Sequence, residues 1–422
     1  MVVEREYHNN TNVSNGSRVA IIGGGPSAIS TLIAFVKAQD EGEQIPEIVC
    51  FEKQNSIGGQ WIYNWRTTVD EYGVPVSNSM YRDLRVNAPK EADELYDYTF
   101  DEHFGDKPVN SYCSRQEMLE YFQGRAAKFG IEKFVKFRTL VRNVKEIGDH
   151  GKKKFFVQYE DLPTANIFEE IFDYVIVACG MNSTPNLPRT YPGLDTFPGR
   201  ISHAHELRQS KELSSVNKLL IIGTGFSAID IARFHHSLCK NDNERLTILS
   251  HRKENPTLSL NWPKSVINVG DLERVCGNVC YFKDGSKHEN IDMIMFATGY
   301  KFDFRFLENS ELRLKGGSSL VYKSLYKSTF HQANSKLLYI GMIKPLFSFP
   351  MYDRQAWLVK EVLLGKKGLP SVDERQKDID SWMKRLKDMP NGCTAKDAIC
   401  IYPFVIDHTN DLVKVNKFCV LL

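Results

Sequence analysis

The stretch Leu219–Phe234, LLIIGTGFSAIDIARF, carries an apolar run into Gly-x-Gly-x-x-Ala and then into a helical pattern. The same succession stands near the start of the chain, where Ala20–Phe35 reads AIIGGGPSAISTLIAF. In each, the apolar run predicts a buried parallel strand. The first glycine (Gly23, Gly223) permits a tight turn and the second (Gly25, Gly225) lets backbone approach a pyrophosphate. The alanine (Ala28, Ala228) packs the helix on the strand. The helix N-terminus then offers amide groups and a positive dipole end to an anion. Two such units predict an α/β protein with two Rossmann-like dinucleotide-binding domains.

The residues that follow each loop differ. Arg18–Ile22 is the first strand and Glu47–Phe51 the second, with Glu52 at its end, 29 positions after Gly23. A carboxylate there accepts hydrogen bonds from both ribose hydroxyls and excludes a 2′-phosphate, so this site suits FAD or NAD. Lys53–Trp61, KQNSIGGQW, adds a Gly-Gly loop containing Gly59, the amide of Gln60 and the indole of Trp61, suited to a second phosphate or a flavin. In the second unit the strand is Lys218–Ile222, and the next strand, Arg245–Leu249, runs into Ser250-His251-Arg252-Lys253. Two cations replace the acid, which suits the 2′-phosphate of NADP; a solvated basic loop is the alternative reading. Opposite charge preferences in one chain point to two dinucleotides, FAD and NADPH.

Asp173–Gly180 and Asp292–Tyr300 are matched apolar strands, each ending small-x-Gly: Ala178-Cys179-Gly180 and Ala297-Thr298-Gly299. Each closes one nucleotide domain, and Pro185, Pro188 and Pro192 mark a linker. The predicted organisation is a flexible tail over 1–17, an FAD domain over 18–184 and 302–422, and an inserted, smaller NADPH domain over 185–301. Residues 132–160 predict a strand pair, with Gly151–Lys154 as its turn.

A chain of 422 residues with 42% hydrophobic and 25% charged residues is ordinary globular material. Its formal charge of +2 gives no reason to expect nucleic acid as a partner. The polar start lacks a signal-peptide core, and no apolar run is long enough for a transmembrane segment, so a cytoplasmic protein is expected. Asn9, Asn12 and Asn15 sit in N-x-Ser/Thr patterns that read as polar tail. Nine scattered cysteines without Cys-x-x-Cys fit a reducing compartment. Cys276 and Cys280 have no second pair to complete a zinc site, and no metal is expected. Cys419-Val420-Leu421-Leu422 matches a prenylation signal or a tail strand, so a weak membrane tether is one reading. Association into a homo-oligomer is left open.

The set GGGPSA, EKQNSIGGQW, GTGFSA and FATGY, in this order and spacing, resembles the flavin-containing monooxygenases from Arg18 to about Trp382. Phe197–His203, FPGRISH, looks like the F-x-G-x-x-x-H start of that family's identifying motif. Leu207 stands where the family has an aromatic, and Baeyer-Villiger enzymes would show Trp there. MYRDLRVNAPKE (Met80–Glu91), YDYTFDEHFG (Tyr96–Gly105) and FSFPMYDRQAW (Phe347–Trp357) are similar to the short members, the bacterial trimethylamine monooxygenases and insect alkaloid N-oxygenases.

The resemblance implies an NADPH- and dioxygen-dependent enzyme that passes hydride to FAD, forms a C4a-hydroperoxyflavin and oxygenates a soft nucleophile, a tertiary amine or thioether. The cofactor carries that chemistry, while the protein supplies position and excludes water. No acid-base pair or nucleophile is required, and none forms a recognisable constellation. By position, Asn87 would hold the oxygen adduct beside the flavin; by itself it reads as a turn residue before Ala88-Pro89. Gly23, Gly25, Pro26, Ser27, Ala28 and Gly180 would frame the FAD phosphates. Glu52, with Lys53 beside it, would take the ribose, Gly59, Gln60 and Trp61 the pyrophosphate and ring, and Val141 the adenine through its backbone. Gln355 would sit near the isoalloxazine. Gly223, Gly225, Phe226 and Ser227 would line the nicotinamide mononucleotide phosphate, Thr298 and Gly299 close that loop, and Ser250, Arg252 and Lys253 meet the 2′-phosphate. His203 reads as ordering the linker.

Three other readings share some of these features. A Baeyer-Villiger oxygenase is disfavoured by Leu207. A disulfide reductase needs the missing Cys-x-x-Cys. A catalytically silent redox module predicts damaged loops, and both are complete.

Overall fold

A computed structural model describes residues 16–149, 153–188, 191–239, 245–252, 261–316, 319, 321–343, 348–389 and 406–412. Asn9, Asn12, Asn15, Lys253 and Cys419 lie outside these residues. The chain divides into two compact units, one of Met1–Ile62, Ala88–Met181 and Phe302–Leu422, the other of Tyr63–Asn87 and Asn182–Lys301.

In the first unit the strand Arg18–Ile22 is an interior strand of a seven-stranded sheet. It pairs in parallel with Glu47–Phe51 on one side and Tyr174–Val177 on the other. Nearly every residue of the helix Pro26–Asp40 is buried, which its apolar, all-round sequence dictates. Residues 139–172 form a separate antiparallel sheet of three strands, Thr139–Ile147, Lys154–Asp161 and Asn166–Phe172. The third strand exposes Ile167, Phe168 and Ile171 and buries little, so its pattern carried no strand signal. The strand pair begins at Thr139 rather than 132, because Ile131–Phe134 is a turn of 3₁₀-helix. Ser17, assigned to the tail, is folded: it is buried, and its carbonyl accepts from the Glu47 N–H at 3.0 Å.

In the second unit five parallel strands run in the order Val266–Val269, Leu246–Ser250, Lys218–Ile222, Met293–Phe296, Arg200–His203. Alternate residues serve opposite faces. Leu219, Ile221, Leu249, Met293 and Met295 meet Ala228, Ile231 and Ala232 of the helix Phe226–Ser237. Leu220, Ile222, Ile248, Ile294 and Phe296 meet Val275, Cys280 and Phe282 of a small antiparallel sheet. Both faces are covered, which explains the continuous apolar run in each strand. Leu207 is 2% exposed in the first of these clusters, so the residue in place of the family aromatic fills core volume.

Residues 63–87 pack with the second unit, whereas the sequence placed them in the FAD domain. The cause is Arg208, which is 3% exposed. Its guanidinium donates to the carbonyls of Arg66 at 3.0 and 2.9 Å, Asn78 at 3.2 Å and His205 at 2.6 Å. The Arg82 N–H donates to the Arg208 carbonyl at 2.7 Å, and the Tyr81 hydroxyl donates to Asp230 on the helix. Among the described residues no helix is long and apolar enough to cross a membrane.

Among the described residues of the first unit, an ionic knot forms around buried Arg125. Arg125, on the helix Arg115–Lys128, grips Asp353 with two nitrogens at 3.0 and 2.9 Å and Asp97 with two contacts at 2.9 Å. Removing the cation would leave the buried Asp353 carboxylate without its counter-charge, while half-buried Asp97 would keep only its pair with Lys37 at 2.6 Å. Arg125→Ala is therefore expected to lower stability by about 3–5 kcal/mol, and Arg125→Lys to rescue little because ammonium lacks the planar fork. Urea unfolding of the two variants measures this; a loss under about 1 kcal/mol for the alanine variant would contradict it.

Candidate functional site

Each Gly-x-Gly loop places a helix start at the C-terminal end of an interior strand by the same geometry. The Gly23 N–H donates to the Phe51 carbonyl at 2.8 Å, and the Gly223 N–H to the Ser250 carbonyl at 3.0 Å. Gly23 has φ +105° and Gly223 φ +121°, backbone that favours glycine. A Cβ on Gly23 would stand 2.6 Å from the Ala178 carbonyl oxygen, and one on Gly223 would clash in the same way with that of Ala297. The matched small-x-Gly strand ends are thus the surfaces against which the two turns close.

Both helices then begin with no side-chain cap at Gly25 and Gly225. By contrast, the helices starting after Thr99, Ser114 and Ser371 are capped by those hydroxyls. An N-terminus without a protein partner needs an anion or water. At the first loop a Cβ on Gly59 would come within 2.7 Å of the Gly25 Cα, so only backbone fits between the two turns. The residues present therefore fit the dinucleotides that the loops predict.

Glu52 is 4% exposed and its carboxylate accepts from the backbone N–H of Gly24 and, at 2.7 Å, of Gln54. Burial raises its pKa, opposed by those two donors. Trp61 ends a 3₁₀ turn beginning at Gly59; its carbonyl accepts from Arg115 Nη1 at 2.6 Å, and its ring lies 6.1 Å from Phe122 and 6.0 Å from Phe349. Gln60 and Lys53 flank this turn half-buried. Val141 is buried where the strand Thr139–Ile147 slips register against its neighbour. Phe226 is 49% exposed at the head of the second helix, beside half-buried Ser227, and Arg252 is exposed at the end of the next strand. Asn87 is exposed.

The Flavin-binding monooxygenase-like family matches residues 16–254 and 264–418. The chain belongs to that family. It is a flavin monooxygenase, with FAD and NADPH as its cofactors. It is 44% identical to the trimethylamine monooxygenase of Methylocella silvestris over 402 residues, 95% of this chain and 85% of that one. It superposes on the crystal structure of Tmm from Pelagibacter sp. strain HTCC7211 with a TM-score of 0.85 at 38% identity, covering 95% of this chain and 87% of that one. The S-allyl-L-cysteine S-oxygenase of Allium sativum gives a TM-score of 0.78 at 25% identity, covering 97% and 90%.

Several residues expected at this monooxygenase's cofactors are engaged by the protein itself. Gln355 is fully buried; its amide oxygen accepts from the Gly341 N–H at 3.1 Å and its nitrogen donates to Ser328 O at 3.0 Å and Thr329 Oγ1 at 3.1 Å. Both its N–H groups are used within the protein, where it braces two loops. Ser250 is 1% exposed and donates to the Gly270 carbonyl at 2.9 Å. Thr298 Oγ1 donates to the Asn186 carbonyl at 2.5 Å, and the Asn186 N–H returns to Gly299 O at 2.9 Å, which pins the linker. Gly180, at φ +74°, follows the strand Tyr174–Val177. Arg208 and Arg115 escaped the sequence reading because the carbonyls they hold are distant in sequence. Arg208 follows Leu207 of the motif directly, and Arg115 follows Ser114, which the structure shows to cap its helix.

His203 is 1% exposed. Its Nε2 donates to Gly299 O at 3.1 Å, and its Nδ1 accepts from the His205 N–H at 3.0 Å. Burial, with His205 nearby, pushes its pKa down to about 4 from 6.5. The unfolded chain therefore takes up the proton first: the stabilisation is full above pH 6.5 and is lost as pH falls toward 4. His203→Gln keeps a donor for Gly299 but cannot titrate. Its urea stability should depend less steeply on pH between 4 and 6.5, by up to about 1.4 kcal/mol per pH unit. Identical slopes for both proteins would show that His203 does not titrate there.

Proposed function

We propose that the protein N-oxygenates tertiary amines, with small apolar amines such as trimethylamine as its substrate class and NADPH and dioxygen consumed. The observation that carries this reading is 44% identity to a trimethylamine monooxygenase over 95% of the chain, with both dinucleotide loops complete. S-oxygenation of thioethers is the second reading, favoured by the likeness to the Allium sativum S-oxygenase. Both substrate classes are soft nucleophiles.

Bound FAD supplies dioxygen activation once NADPH has reduced it. The chain's residues hold and shield. The start of the helix Pro26–Asp40 receives the FAD phosphates and Glu52 the ribose hydroxyls, each carboxylate oxygen having a lone pair beyond its backbone contact. The start of the helix Phe226–Ser237 receives the NADPH phosphates. The Phe226 ring, half-exposed, gains cover from the ligand. Arg252 pairs with the 2′-phosphate as a charge-assisted contact. By resemblance, Asn87 ties NADPH consumption to product formation.

Purified holoenzyme should oxidise NADPH fastest with tertiary amines, then thioethers, and not with ketones; oxygenated ketone product would overturn the proposal. Arg252→Ala should raise the NADPH KM roughly ten- to a hundredfold, the equivalent of about 1.5–3 kcal/mol, and leave that for NADH nearly unchanged. Equal use of NADPH and NADH by the unmutated enzyme would remove Arg252 from the site. In Asn87→Ser, hydrogen peroxide should accumulate at the expense of N-oxide while NADPH oxidation continues; unchanged coupling would relieve Asn87 of the role.

A further inference from the structure

The turn between the short strands Leu325–Tyr326 and Phe330–His331 is made without glycine. Lys327 and Ser328 stand there at φ +50° and +53°, consecutive left-handed conformations that such residues adopt only when their surroundings hold them. What holds them is the C-terminal region. Lys327 is 5% exposed, and its ammonium pairs with Asp378 at 2.7 Å and with Asp411. His408, 4% exposed, lies with Nε2 3.4 Å from the Ser328 hydroxyl. Trp382 donates its indole N–H to Asp411 at 3.2 Å and meets the His408 ring edge-on at 4.9 Å. Leu412 is fully buried, so residues 406–412 dock as a helical segment with both an apolar and an ionic anchor.

The turn leads to the first dinucleotide loop through a single buried side chain. The Ser328 carbonyl and Thr329 hydroxyl accept from Gln355, whose amide oxygen accepts from the Gly341 N–H. Gly341, at φ +78°, lies against Ser27, so close that an added Cβ would come within 2.8 Å of the Ser27 Cβ. Ser27 is the second residue of the helix whose uncapped N-terminus would receive the FAD phosphates. Asp411 and Ser27 are thereby joined through Lys327, Ser328, Gln355 and Gly341.

We propose that residues 406–412 act as a clasp on the strained turn, with Asp411 as its positioning residue, and that through Gln355 and Gly341 the clasp sets how tightly the flavin is retained. This rests on the FAD phosphates lying at Gly23–Ala28. In stripped, refolded full-length protein titrated with FAD and followed by flavin fluorescence, Asp411→Ala should raise the FAD dissociation constant on the order of tenfold. Adding Ser328→Gly, which takes a positive φ without strain, should restore most of that affinity, because the turn then persists without its anchor. Asp407→Ala, which removes only the exposed pair with Arg385, should leave it unchanged. A purely structural role would lower the melting temperatures of apo and FAD-saturated protein together without moving the dissociation constant or the rescue. An unchanged constant in folded Asp411→Ala overturns the clasp. If that variant does not fold, His408→Gln is read the same way. Gly25→Val separates the two ideas: if it leaves FAD binding intact, the phosphate loop is misplaced; if it abolishes binding while Asp411→Ala has no effect, the clasp alone fails.

Discussion

An α-helix presents N–H groups at its start that the helix cannot satisfy, and the long helices that begin after Gly25 and Gly225 have no side-chain cap for them. Elsewhere the chain supplies Thr99, Ser114 and Ser371 for the purpose. The two helices that follow a strand end through a glycine turn have no such residue. The other features of each loop follow from keeping such a start accessible. The turn must be tight, so Gly23 and Gly223 take positive φ. The neighbouring strand comes close against each turn, and the backbone carbonyls of Ala178 and Ala297 face the two glycines.

Around this shared geometry the two sites diverge in how they treat charge. Glu52 is buried, at a desolvation cost that raises its pKa, and two backbone N–H groups partly offset that cost. Arg252 is exposed and incurs no such cost. A buried acceptor suits a ligand that keeps water out of its site; an exposed guanidinium suits an anionic group met at the surface, where the contact is worth less but forms and breaks readily.

Much of the remaining polar chemistry is directed inward. Gln355, Arg208 and Arg115 each tie backbone carbonyls or hydroxyls of segments far apart in sequence, and Arg125 binds two carboxylates at once. Since the reaction's chemistry belongs to the cofactors, precise loop placement is the protein's main contribution, and buried hydrogen bonds with no free valence give it. Leu207 shows the apolar counterpart: a residue at a family motif position that fills core volume beneath the helix Phe226–Ser237.

The sequence alone determined the strands Arg18–Ile22, Glu47–Phe51 and Lys218–Ile222, the two glycine turns and the opposite charges beyond them, because these depend on contacts within a few dozen residues and on strict periodicity. It also determined the family, through motifs whose spacing follows from the same local geometry. Only the tertiary structure decided that residues 63–87 pack with the second unit, that Asn166–Phe172 is a third strand with little burial, that Ser17 is folded, and that Gln355, Ser250 and Thr298 serve the scaffold. In each case the partner is distant in sequence or is a backbone carbonyl, and a carbonyl is present at every residue. Side-chain identity cannot signal a bond to a group that all residues share.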